Sequence, residues 1–333
     1  MHAGRREGNI QIGERFSVAL QRTVRVPDDG GSYPLPPGLG ALPVYRVEDY
    51  PDRVPPALRE RGGYFVPLWE REALWLNFTA AWWKPNAVKV GVGGVNAITG
   101  APWASGLRAD PQDYLVCPEQ PWLDGIRTAE GTVRQFVAVA LGAGDTVEEQ
   151  LTGAAEVGGV QIQVFEPKPG RFPDEPPPDA GPRLESIAWE GLELHDDTGM
   201  GLAAGGQIEQ KIYPDPYGVE TWDEASWTEA FVHVLPAEHV RAITGEAPPP
   251  SPVTPQLYTS LGLPWFRLPD EERGDLAASE RLQRVESVQS RAAARGDAED
   301  EEPVAIDPGQ IIPLGPQAGP GAEPDSDEEE KPS

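Results

Sequence analysis

The chain has 333 residues and a formal net charge of -27, with 54 acidic side chains against 27 basic. Binding to nucleic acid or to an anionic membrane surface draws on clustered Lys and Arg, so neither partner is expected. No run of about 18 apolar residues offers a bilayer span, no apolar leader follows Met1, and Cys117 is the single cysteine, which together predict a cytoplasmic protein without internal disulfides.

Residues 1–13 carry charge and little periodicity and are expected to be a flexible N-terminus. Phe16, Val18 and Leu20 then alternate with Ser17, Ala19 and Gln21, the period of a strand, with a bulge expected near Arg22-Thr23. Pro27-Asp28-Asp29-Gly30-Gly31 is strong turn chemistry, and Tyr33 to Pro43 reads as an extended loop. Pro55 to Gly63 predicts a short helix, with proline in its first turn and glycine past its end.

The stretch from Tyr64 to Leu141 holds much of the aromatic and β-branched mass. Leu74, Leu76 and Phe78 alternate with Trp75 and Asn77, a strand apolar on both faces and suited to the interior of a sheet. Ala87 to Gly100 predicts a hairpin whose Gly93-Gly94 turn suits positive φ. Tyr114 to Cys117 is a short strand, Pro118 to Gly131 a turn-rich connection and Val133 to Leu141 another strand. Thr146 with Glu149 three residues later matches a capping box and opens one helical turn, or else a strand runs through Val147 and Leu151. Val160 to Phe165 alternates cleanly, with Gln161 and Gln163 forming a polar face.

Residues 167–182 are proline-rich and read as an insertion or linker. Beyond it, Ser186 to Leu194 and Gln207 to Tyr213 read as elements of the same sheet system. Met200 to Gly206 fits a tight turn or a close backbone contact. Phe231 to Leu235 is a strand, and Pro236 to Thr244 a helix stopped by Gly245. Leu261 to Phe266 forms an apolar knot able to dock on the body. Residues 267–333 form an acidic, largely disordered tail with one helix at 279–295; from Asp270 onward it holds 18 acids and 6 bases. The fold expected from these elements is α+β and predominantly β. It has one domain over 14–266, with mixed or antiparallel sheets, sandwich or barrel-like, and a few short helices.

Glu70 and Glu72 would share one face of a strand about 7 Å apart, the arrangement of an acid and base pair; a solvated strand end is the plainer reading. Asp124, between Trp122-Leu123 and Gly125-Ile126, is a second weak catalytic candidate. If buried it needs a partner, and Arg134, with Gln135 beside it, is the nearest in sequence. Trp122, Asp124, Arg134, Gln135 and Trp103 are therefore the binding candidates. Trp75, Trp122 and Trp189 read as core, whereas Trp82, Trp83, Trp103, Trp222, Trp227 and Trp265 sit in or beside loops. Such tryptophans mark partner or sugar surfaces, or else cover the ends of a β core. His195, His233 and His239 lack the spacing of a zinc helix, so no metal and no cofactor are expected. Lys89 to Gly94 lacks the Gly-Lys-Ser/Thr of a phosphate loop. Cys117, in an apolar strand, reads as a buried inert thiol.

The stretches Arg71-Glu72-Ala73-Leu74-Trp75, Lys89 to Ala97, Gln120 to Gly125, Val133 to Ala138 and Gly201 to Gly206 together resemble an uncharacterised family of bacterial and fungal proteins, over about residues 14–266. That resemblance implies one shared domain and no activity or site residue. The function expected is a non-enzymatic binding or scaffold protein for a protein partner or small ligand. The alternative is a hydrolase or carbohydrate-acting enzyme with a carboxylate pair in a Trp-lined cleft.

Overall fold

The computed structural model describes residues 8–178, 200–267, 274–298 and 301–314. Nine strands set the frame: β1 (Asn9–Ile12), β2 (Phe16–Thr23), β3 (Ala73–Ala80), β4 (Asn86–Val92), β5 (Leu115–Cys117), β6 (Thr132–Ala140), β7 (Val160–Pro167), β8 (Met200–Glu209) and β9 (Trp222–Pro236). They are hydrogen-bonded in the order β1-β2-β3-β6-β8-β9-β7-β4-β5, with every neighbouring pair antiparallel. With seven shorter strands the sheet reaches sixteen, and its end strands β1 and β5 do not pair with each other, so the sheet curls without closing. The predominantly β, α+β architecture read from alternation is what the chain adopts. Parallel pairing enters through Tyr64–Leu68 beside β9 and Ser32–Tyr33 beside β8.

Strands β2 to β7 form where alternation predicts. In β3, Leu74, Leu76 and Phe78 are buried while Trp75 and Asn77 are partly covered. β2 carries its bulge in the predicted place, a register shift between Gln21 and Thr23 against Gly38–Ala41. All seven residues of β4 are buried, and Gly93 and Gly94 turn it back with φ of 55° and 73°, the geometry of a tight hairpin. Gln161 and Gln163, the polar face of β7, are buried. Gln161 spans the hairpin turn, accepting from Gly94 N at 2.9 Å and donating to Gly158 O at 3.0 Å.

The helices are short. They are α1 (Pro56–Arg61), α2 (Val147–Thr152), α3 (Ala237–Thr244), α4 (Pro255–Ser260) and α5 (Val288–Arg295); α2 and α5 pack on β8 and α3 on β9. The predicted capping box is present on α2: Glu149 N donates to Thr146 Oγ1 at 3.1 Å and Thr146 N to Glu149 Oε2 at 3.2 Å. Beneath α3 a satellite core packs Tyr45, Tyr50 and Phe65 against Leu235, Val240 and Ile243.

Several expectations are corrected. Residues 9–12, placed in a flexible N-terminus, form β1, with Ile10 and Ile12 in the core. The loop 33–43 contains the strand Gly38–Ala41, and the connection 118–131 contains Trp122–Leu123 and Gly125–Ala129. Met200 to Gly206 is not a turn but the first part of β8. Its glycines serve backbone approach, since a Cβ on Gly206 would lie 2.3 Å from Pro27 O. The element expected over 186–194 and Trp189 lie outside the described residues.

The largest correction concerns part of the acidic tail; its residues 268–273, 299–300 and 315–333 lie outside the described residues. Residues 274–298 and 301–314 pack on the body instead of remaining in solvent. Leu282, Val285, Val288 and Ala292 are buried, and the single helix expected over 279–295 is instead a short turn at Leu282–Arg284 followed by α5, capped by Ser287. Asp275 pairs with the fully buried Arg127 at 2.5 Å and also accepts from Gly131 N and Ile212 N. Arg295 holds Asp145 through two bonds of 2.5 and 2.8 Å, and Glu301 meets Arg25. Composition predicts disorder when too little apolar surface is available; here a few well-spaced apolar residues and ion pairs suffice to dock the segment.

Candidate functional site

The Trp122–Leu123 strand pairs antiparallel with β3, setting Trp122 opposite Asn77 and Leu123 opposite Leu76. Trp75 is then the diagonal neighbour of Trp122 on the same face, and the two indoles meet at 71° with ring centroids 6.5 Å apart. The next residues are fixed by backbone contact. A Cβ at Gly125 would fall 1.8 Å from Arg134 O, so only glycine lets this segment lie against β6. Asp124 O accepts from Phe136 N at 3.0 Å, which holds the Asp124 side chain beside the indole pair.

Trp75, Trp122 and Asp124 line a cavity of about 150 Å³. Its other walls come from distant parts of the chain: Leu35 to Gly38, Phe266 and Leu314. Phe266 is locked to Leu35 by two backbone bonds of 2.8 and 2.9 Å, and Leu314 N bonds to Arg267 O at 2.8 Å. Trp265–Arg267 and Ile311–Pro313 form a two-stranded parallel sheet along this side. Of the apolar knot at 261–266, Trp265 docks into the core and Phe266 becomes a cavity wall, whereas Leu261 and Leu263 stay exposed. A space of about 150 Å³ is the size that admits a single six-membered ring.

Asp124 is 2% exposed. Its partner is Gln210, in a reciprocal pair: Asp124 N donates to Gln210 Oε1 at 3.0 Å, and Gln210 Nε2 donates to Asp124 Oδ2 at 2.7 Å. Burial pushes the carboxyl up to about 7, opposed in part by the hydrogen bonds from Gln210 and Trp122. The proton is therefore shared near neutrality, and the cavity floor holds a carboxyl that can accept, donate or carry charge.

The remaining candidates fall elsewhere. Arg134 does not pair with Asp124; it bonds Asp28 Oδ1 at 2.9 Å and Gly205 O at 3.2 Å. Gln135 is buried and bridges Val24 O and Val26 N. Trp103 packs over Gly91, with the Lys89 ammonium 5.5 Å from its ring, and is not part of the cavity wall. Glu70 and Glu72 do not lie on a strand at all. They sit in the turn between Tyr64–Leu68 and β3, where Arg71 adopts φ of 61°. Glu70 is exposed, whereas Glu72 is buried against Arg22 and accepts from Trp69 N at 3.0 Å. The pair expected to act together is thus split by a positive-φ residue, and neither member reaches the cavity. Trp222 and Trp265, expected in or beside loops, are fully buried core residues, while Trp82 and Trp227 are exposed.

Sequence reasoning found Trp122 and Asp124 but missed Trp75, Gln210 and the walls at 35–38, 266 and 314. Gln210 lies 86 positions from Asp124, and no local spacing signals such a pair. Among the described residues no group of three His, Cys, Asp or Glu is placed to hold a metal ion, and His195 lies outside them. His233 Nε2 is instead 3.0 Å from Gly62 O, and burial lowers that imidazole to about 4. No helix among the described residues is long and apolar enough to cross a membrane. Comparison with protein-family models, with curated proteins and with solved structures gives no match for this chain.

Proposed function

We propose that this chain is a non-enzymatic binding protein that takes a small ligand in the cavity lined by Trp75 and Trp122. The observation that carries the reading is the convergence of two indoles and one buried carboxyl on a cavity whose other lining residues are Leu35, Pro36, Pro37, Gly38, Phe266 and Leu314. Ligand sites combine apolar walls with a few placed polar groups, and this cavity has that composition. Paired-carboxylate hydrolysis has less support, because Glu72 is neutralised by Arg22 and Glu70 faces solvent.

A thermal-shift screen of ring-sized fragments tests the reading. Hits should lose their shift in Trp122→Ala and keep it in Trp103→Ala, since Trp103 packs on Gly91 away from the cavity wall. Hits indifferent to Trp122→Ala, or no hits at all, would refute it.

A further inference from the structure

Among the described residues the buried acids are compensated by a cation or by backbone amides, and Asp124 departs from that pattern. Glu72 has Arg22, Asp113 has Lys89 at 2.8 Å, Asp145 has Arg295 at 2.5 Å and Asp275 has Arg127 at 2.5 Å. Glu238 lies 3.8 Å from Arg241. Glu148 lacks a cation but accepts from three successive backbone amides, Glu156 N, Val157 N and Gly158 N, at 2.7 to 3.0 Å. Among the described residues Asp124 has neither a cation nor such an amide nest. Its side chain meets the neutral donors of Gln210 and Trp122. A buried carboxylate without a counter-charge is costly, and the place where that counter-charge can enter is the cavity that Asp124 lines.

The walls suit a cation of a particular kind. The two indoles meet edge to face, with centroids 6.5 Å apart, and the ring surface they leave uncovered lines one side of the cavity. Indole faces attract a soft, weakly hydrated cation through their quadrupole, and aromatic cages recognise quaternary ammonium groups. No Lys or Arg is among the lining residues to repel it, and a chain with a net charge of -27 gathers cations at its surface. The space of about 150 Å³ holds one methylated ammonium head but not a large ring system.

We propose that the pocket is selective for a small methylated ammonium ligand, held against the Trp75–Trp122 pair with Asp124 as its buried counter-ion. This rests on the pocket being a ligand site, and it names the class of ligand. The methyl groups contact the indoles, the positive charge faces the carboxylate, and the Gln210 amide keeps that carboxylate oriented. An anionic or strongly hydrated ligand gains nothing from these walls.

The test uses the full chain, tryptophan fluorescence and calorimetric titration. The probes are choline and its uncharged carbon isostere 3,3-dimethyl-1-butanol, which match in shape and differ in charge. Choline should bind at least about tenfold more tightly than the isostere. In Asp124→Asn, checked for folding by its thermal transition, the preference should fall to within about threefold. Trp122→Phe, which keeps an aromatic wall, should weaken choline while retaining the preference. Equal binding of both probes by the parent chain would overturn the ammonium assignment and leave the pocket intact. A preference that survives Asp124→Asn unchanged would also overturn it. Failure of both probes and of every fragment in the screen would remove the pocket itself.

Discussion

Replacing Asp124 with Asn should make the protein more stable, and increasingly so as the pH rises. Asp124 is fully buried, and its carboxyl is pushed up from 3.8 to about 7. Below pH 3.8 the group is protonated in both folded and unfolded chains, and it contributes no difference. Between that value and about 7 the unfolded chain has given up its proton while the folded one keeps it, so stability falls as pH rises. At about 1.4 kcal/mol per pH unit, the full interval is worth about 4 kcal/mol. Asn keeps the shape and still accepts from Gln210 Nε2, but it has no proton to lose. Urea titrations of both proteins from pH 4 to 8.5 would measure the gap, in which the other acidic groups cancel. The gap should be near zero at the acid end and should widen to roughly 4 kcal/mol by pH 8. A gap that stays constant across the range, or that shrinks as pH rises, would refute the assignment of Asp124 as a buried carboxyl without a counter-charge.

Four further outcomes are expected. Arg22→Met leaves Glu72 buried without its cation and should cost about 3–5 kcal/mol in chemical denaturation; the double variant with Glu72→Leu should recover more than half of that. Gly125→Ala places a methyl carbon 1.8 Å from Arg134 O and should lose ~3 kcal/mol or fail to fold, whereas Gly274→Ala, which meets only Pro214 Cγ at 3.7 Å, should be tolerated in the same thermal melts. Asp275→Asn removes the partner of the buried Arg127 and should cost about 3 kcal/mol or more, with limited proteolysis cutting first within 274–298. Thr146→Ala deletes the side-chain cap of α2 and should cost about 1 kcal/mol by urea titration.

The sequence was most informative where a signal is local. Gly93-Gly94 between two valine-rich runs sets a hairpin because both positions need positive φ, and Thr146 to Glu149 sets a cap because both partners lie within one turn. Strands built from long-range pairing were harder to read. Gly125 to Ala129 contains Gly and Thr and follows Pro121 and Asp124, so its composition says turn; it is a strand because β6 offers it a partner. The glycines of β8 read as a tight turn or a close backbone contact, and it is the second that holds: they answer to Pro27 and Val137 across the fold. Continuous strand would put Glu70 and Glu72 on one face, and Arg71 breaks that parity with its left-handed φ. Half of the candidate site was legible, Trp122 and Asp124. The other half depends on Trp75 by cross-strand geometry and on Phe266, Leu314 and Gln210 by tertiary return, which no window of sequence contains.

The docking of residues 274–298 has a consequence for biosynthesis. Arg127 sits in the interior, yet the carboxylate that neutralises it is 148 positions later. A chain growing from the ribosome therefore presents the central strands long before their last counter-ion and their covering leucine and valines have been made. Until that late segment emerges, the half-made sheet carries an unneutralised guanidinium and an uncovered apolar flank, which is the kind of surface that chaperones grip. The body would reach its native state after translation of the late segment, as one cooperative closure, and not as an early unit trailed by an inert appendage.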